Sequence, residues 1–124
     1  MTKICQWNCR SAISNKLNLE NILQQQDISI ALLSETWFKP GQYISFSGYN
    51  TVRNDRMDGK GGVAILIKNN MKFTELTGPN FDNILYISIK ILLSNGVTVT
   101  LVSIYIKPQS KINTQTWSNF FSTF

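Results

Sequence analysis

Histidine is absent from the 124 residues, which removes imidazole general bases, imidazole metal ligands and any Ser/His or Cys/His nucleophile system from this chain. Hydrolytic chemistry has to rest on carboxylates, amides, phenols and a metal ion. Glu35 is one such carboxylate: it follows the apolar run Ile28-Ser-Ile-Ala-Leu-Leu, the kind of segment expected for a strand covered on both faces. Asn8 lies near the end of an earlier alternating segment around Trp7. Ligands of open α/β sheets gather at the carboxyl ends of strands, so the two side chains are candidates to meet there. A hard divalent cation such as Mg²⁺ accepts oxygen ligands from one or two carboxylates and keeps several waters; one Glu with one Asn amide is therefore half a site. The plainer readings are a turn-forming amide at Asn8 and a solvated loop carboxylate at Glu35.

Tyr105 follows a long β-branched stretch and precedes Lys107 and Pro108, again near a strand end. Its hydroxyl either packs with the sheet or donates to a phosphate oxygen as charge develops there. Arg53-Asn54-Asp55-Arg56 sets two guanidinium groups in a loop. They suit bidentate phosphate contacts, or else they pair locally with Asp55 and Asp58. Lys60-Gly61-Gly62 lacks the spacing of a phosphate-binding loop and precedes a strand, so the glycines read as a tight turn with close packing. Cys5 and Cys9 share one face of a strand with Trp7, too far apart to bridge, and read as buried thiols.

The elements that position these groups follow from periodicity. A strand over residues 3 to 9, a helix over Lys16 to Gln26 capped by Asn15 with Leu19, Ile22 and Leu23 on its apolar face, and the strand from Ile28 make a right-handed βαβ unit with parallel strands. Further strands are expected at Tyr49 to Arg53, Val63 to Lys68, Leu85 to Leu92 and Val97 to Ile106. The last two are joined by a hairpin at Ser94-Asn95-Gly96. Trp117, Phe120, Phe121 and Phe124 then fall on one helical face. With 43% hydrophobic and 15% charged residues the chain is a single folded domain and not a disordered one. Its longest strictly apolar run, Val63 to Ile67, is too short to cross a bilayer, and its start lacks the apolar core of a signal peptide, so an intracellular protein is expected. A net charge of +5, spread along the chain, favours an anionic partner.

Taken in order, Cys5-Gln6-Trp7-Asn8-Cys9-Arg10-Ser11, Leu33-Ser34-Glu35-Thr36-Trp37, Ser47-Gly48-Tyr49, Arg53-Asn54-Asp55-Arg56, Gly61-Gly62-Val63-Ala64-Ile65 and Ile104-Tyr105-Ile106-Lys107-Pro108 form a pattern over nearly the whole chain. It resembles the endonuclease/exonuclease/phosphatase superfamily, and within it the apurinic-endonuclease-like domain of non-LTR, jockey-like retrotransposon polyproteins. The resemblance implies an α/β fold, a four-layer sandwich of two mixed β-sheets flanked by helices. It implies metal-assisted phosphodiester hydrolysis of DNA, which in retroelements primes reverse transcription, with Mg²⁺ or Mn²⁺ as the ion and no small-molecule organic cofactor. Asn8 and Glu35 match the family's metal- and phosphate-holding amide and its metal-binding Glu. Tyr105 matches its phosphate-contacting Tyr, and Arg53 and Arg56 lie where retroelement proteins carry basic residues near DNA. A nuclear place of work would follow.

The family's later Gly-Asp-Phe-Asn and Ser-Asp-His segments have no counterpart in these 124 residues. The resemblance therefore makes residues 1–124 the amino-terminal part of one domain, a truncated or degenerate copy. Little nuclease activity is expected from it alone, since losing members of a catalytic unit costs orders of magnitude. An incomplete second sheet is expected to leave apolar faces of the first sheet and of Trp117, Phe120, Phe121 and Phe124 without covers.

Overall fold

The computed structural model describes residues 2–124. The chain runs β1 (Ile4–Asn8), α1 (Lys16–Gln25), β2 (Ile30–Ser34), β3 (Tyr49–Asn54), β4 (Val63–Lys68), β5 (Phe73–Leu76), β6 (Ile84–Leu92), β7 (Thr98–Ile106) and α2 (Thr114–Ser122). Strands β1-β2-β4-β3 make a mixed sheet in that order, with β1 and β2 parallel and the other pairs antiparallel; β5-β6-β7 make an antiparallel second sheet. The βαβ opening and the α/β fold of two packed sheets are as the sequence implies.

Period-two alternation assigns each strand's faces. In β4, Ala64 and Leu66 join Leu19 and Leu23 of α1, Phe38, Phe46 and Tyr49 in one core, with Cys5 and Trp7 of β1 packed at its margin and Cys9 buried in it. Val63, Ile65 and Ile67 turn the other way and meet Ile87, Ile89 and Ile91 of β6 in a second core between the sheets. The first sheet is therefore covered on both faces, against expectation, because the β6–β7 hairpin is long enough to roof it. On the outer face of β6, Tyr86 touches Phe120 of α2 and Phe124 just beyond it, with ring centroids 5.3 and 5.6 Å away. Phe120 is thereby buried as well, while Phe121 and Phe124 remain exposed.

Local chemistry closes the elements. Helix α1 ends in a Schellman arrangement: Asp27 takes a left-handed backbone (φ 51°), its N–H bonds the Gln24 carbonyl, and the Ile28 N–H bonds the Leu23 carbonyl. Asn15 does not cap α1 with its side chain, contrary to expectation. Its amide instead donates to the carbonyls of Cys9 (3.1 Å) and Ser11 (3.0 Å), which the tight turn after β1 would otherwise leave without partners. The hairpin joining β6 and β7 has a three-residue loop: the Gly96 N–H bonds the Leu93 carbonyl, and only Gly96, at φ 84°, has a positive φ within it. Strand β5 gave no sequence signal, since four residues are too few to show an alternation.

Candidate active site

The carboxyl ends of β1 and β2 lie side by side. Asn8 is the register partner of Ser34, so Glu35 begins one residue beyond that pair. The pairing continues past the strand tips: the Cys9 N–H bonds the Ser34 carbonyl (2.8 Å), the Ser11 N–H bonds the Glu35 carbonyl (3.0 Å), and the Ala12 N–H bonds the Thr36 carbonyl (3.0 Å). Arg10, Ser11, Glu35 and Trp37 all adopt left-handed backbone. Each such non-glycine residue costs on the order of 1–3 kcal/mol, and such strain concentrates where a structure over-determines a functional loop. Asn8 is exposed and Glu35 half-buried, so both are reachable from solvent.

Cys9, just beneath, is an inert neighbour. Burial first, then the charges of Cys5 and Glu35, push its thiol up to about 12, so the thiolate is not formed near neutrality.

A glycine pair links this tip to Tyr105. The Trp37 N–H bonds the Gly61 carbonyl (2.9 Å) and the Thr36 N–H bonds the Gly62 carbonyl (3.4 Å). Both glycines have positive φ, and neither has room for a side chain. A Cβ on Gly61 would sit 2.8 Å from the Tyr105 ring and 2.6 Å from Arg56 Cδ, and one on Gly62 would sit 2.7 Å from Thr36 Oγ1. The turn read from Gly61-Gly62 thus packs the Glu35 loop on one side and Tyr105 with Arg56 on the other. The Arg56 guanidinium stands 5.9 Å from the Tyr105 ring centroid and bonds Asp58 at 2.8 Å.

Arg53 is differently employed. Its guanidinium grips Asp55 through Nε and NH2, donates to the carbonyls of Gln42 (2.6 Å) and Lys39 (3.0 Å), and lies 4.7 Å from the Phe38 ring centroid. The local-pairing alternative holds for both arginines. In Arg53 the Asp55 carboxylate and the two carbonyls together occupy the whole fork, whereas Arg56 makes one such bond, to Asp58.

Ser103 gave no sequence signal as a site residue. Its hydroxyl, buried between the sheets, donates to the Leu33 carbonyl at 2.8 Å. The bond falls two residues before Glu35 on one strand and two before Tyr105 on the other. A serine amid β-branched residues facing a covered sheet is the trace it leaves in the sequence.

Among the described residues no group of three or more His, Cys, Asp or Glu side chains gathers. The oxygen donors at the strand tips are the Glu35 carboxylate and the Asn8 amide. Such a pair fits a cation that keeps most of its waters and does not fit one that needs a protein cage.

A parallel strand pair with acid and amide at adjacent tips, linked through Gly61 and Gly62 to a tyrosine on a second packed sheet, defines an α/β scaffold of two sheets with polar groups gathered at one rim. The chain belongs to the endonuclease/exonuclease/phosphatase family, whose pattern matches residues 5–122. Over 111 residues it is 29% identical to the RNA-directed DNA polymerase from mobile element jockey of Drosophila melanogaster, covering 88% of this chain and 12% of that protein. In three dimensions it is similar to the endonuclease domain of TRAS1, a telomere-specific non-LTR retrotransposon. The TM-score is 0.73 at 19% identity, over 98% of this chain and 52% of that one. The catalytic domain of Xenopus laevis APE2 is also similar, with a TM-score of 0.54 and 21% identity, over 86% of this chain and 45% of that one. The chain thus spans about half the length of these solved domains. The family is metal-dependent and its nucleases act on nucleic acid. Among the described residues no helix is long and apolar enough to cross a membrane.

Proposed function

We propose that residues 1–124 are the amino-terminal part of the DNA endonuclease domain of a non-LTR retroelement, and that the strand-tip rim holds the phosphodiester to be cut. The observation that carries this reading is the adjacency of Asn8 and Glu35 at the ends of paired parallel strands, tied through Gly61 and Gly62 to Tyr105. The likeness to the jockey polymerase and to the TRAS1 endonuclease domain supports the retroelement branch over a phosphomonoesterase or a phospholipid-directed member. A non-catalytic nucleic-acid-binding remnant would use the same rim.

Glu35 and the Asn8 amide are the residues to hold Mg²⁺, or Mn²⁺ in its place. When bound, the ion supplies Lewis-acid stabilisation of charge on the phosphoryl oxygens. Tyr105 donates its hydroxyl to a phosphate oxygen, and Arg56 adds positive charge beside it. Arg53 serves DNA binding by fixing the loop at Lys39 and Gln42. Nothing in these residues orders an attacking water, so the chain alone is expected to bind DNA without cutting it.

The test pairs Mn²⁺ binding, followed by electron paramagnetic resonance, with nicking of supercoiled plasmid in Mg²⁺. The expected result is Mn²⁺ binding lost in Glu35→Gln and weakened in Asn8→Ala, salt-sensitive DNA binding weakened in Arg56→Ala, and nicking at background. Mn²⁺ binding indifferent to Glu35→Gln would overturn the metal assignment. Nicking abolished by Glu35→Gln would overturn the expected inactivity.

A further inference from the structure

Beside Tyr105, Arg56, Phe81, Asn83, Leu85 and Lys107 line with it a cavity of about 220 Å³. It opens to solvent, so a ligand larger than this volume can be seated in part. Its lining is divided in character. Arg56 and Lys107 are cations, Tyr105 and Asn83 bring a phenol and an amide, and Phe81 and Leu85 are apolar. Phe81 is fixed from behind by its edge-on contact with Phe120 at 5.3 Å.

Asn83 is placed there by the backbone. The Ile84 N–H bonds the Phe81 carbonyl (3.4 Å), closing a turn whose third residue, Asn83, has φ 65°, the position where Gly or Asn is favoured. Among the described residues its amide side chain makes no hydrogen bond, and Lys107 makes no ion pair. Asn83 and Lys107 are both exposed at the cavity's mouth, so a ligand reaches them from solvent.

We infer that this cavity takes one nucleotide unit of the bound strand, its phosphate at Arg56 and Lys107 and its base against the Phe81 and Leu85 wall, read by the Asn83 amide. Aromatic and apolar surface accepts any base face, guanidinium and ammonium groups accept the phosphate, and the amide can both donate and accept. The inference rests on the nucleic-acid reading above and adds to it a subsite that senses the nucleotide next to the cut.

The experiment is a titration of the chain, followed by amide NMR shifts, with deoxyadenosine monophosphate, inorganic phosphate and deoxyadenosine separately. The mononucleotide is expected to shift Asn83 and Lys107 and to bind at least about fivefold more tightly than either half alone. Asn83→Gly keeps the positive φ while deleting the amide. It is expected to weaken mononucleotide binding about fivefold and to leave phosphate binding unchanged. Phosphate binding as tightly as the mononucleotide, or Asn83→Gly without effect on the mononucleotide, would overturn the subsite. If duplex DNA still binds in an Arg56-dependent way while the mononucleotide shifts nothing here, the subsite fails alone. Mononucleotide binding at Asn83 without any DNA binding supports the subsite and sinks the endonuclease reading.

Discussion

The first sheet carries Asn8 and Glu35 and is sealed on both faces; the second carries Tyr105 and is sealed on one. Every β4 residue from Val63 to Ile67 is buried, two toward α1 and three toward β6. In β7 only Ser103 is buried, and among the described residues no strand pairs with its far edge. That edge runs nine residues without a charge, Thr98 to Ile106, which native proteins seldom leave uncovered. The candidate metal ligands therefore stand on the rigid half and the candidate phosphate contact on the looser one. What joins them is the Ser103–Leu33 hydrogen bond and the packing of Gly61 on Tyr105.

The contrast is broken most directly by truncating side chains on either side. Ile65→Ala, in the sealed core, is expected to cost about 2–5 kcal/mol in urea unfolding. Phe121→Ala, on an exposed face of α2, is expected to cost no more than about 0.5 kcal/mol and to reduce self-association in sedimentation. Comparable costs for the two would mean that the α2 face bearing Phe121 is as well enclosed as the core of the first sheet.

Ser103→Ala sharpens the comparison at the seam. It removes a buried hydrogen bond to a carbonyl that also serves the β2–β4 ladder, so a loss of about 0.5–1.5 kcal/mol is expected, with amide shifts changing at both Glu35 and Tyr105. Shifts confined to β7 would show that the two halves of the rim are positioned independently.

The smallest effect is acidic. Glu20 on α1 accepts the Ser47 N–H at 2.8 Å and pairs with Lys16, and these bonds, the backbone one first, hold its carboxyl below the ordinary value. A folded-state value below the unfolded one means that the stabilisation is complete above the unfolded pKa and is lost as pH falls through the folded one. Glu20→Gln is therefore expected to flatten a shallow acid limb below about pH 4 in thermal melts, with little change at neutrality. An unchanged acid limb would detach Ser47 and its loop from α1.

The elements were legible where a pattern ran long enough to show itself. The parallel β1 and β2, helix α1 with Leu19 and Leu23 inward, and the long β6–β7 hairpin follow from period and composition. Four residues of β5 gave no such signal. Asn15 has the residue type of a helix cap, but the turn after β1 recruits its amide for the Cys9 and Ser11 carbonyls. Arg53 and Arg56 look equivalent in sequence; only the approach of the Lys39 and Gln42 carbonyls makes one of them a loop clamp.

By itself the sequence determined the donor types, with no imidazole, one acid after an apolar strand and one amide at the end of an alternating one, and it determined that the strand before Glu35 is apolar on both faces. Those are local properties, written in periods of two and 3.6 residues. Tertiary structure alone decided that Ser103 reaches a carbonyl 70 residues away, that Gly61 must stay bare to admit Tyr105, and that Asn83 and Lys107 share one cavity with it. Such contacts depend on how two sheets stack, and no repeat along the chain encodes that distance.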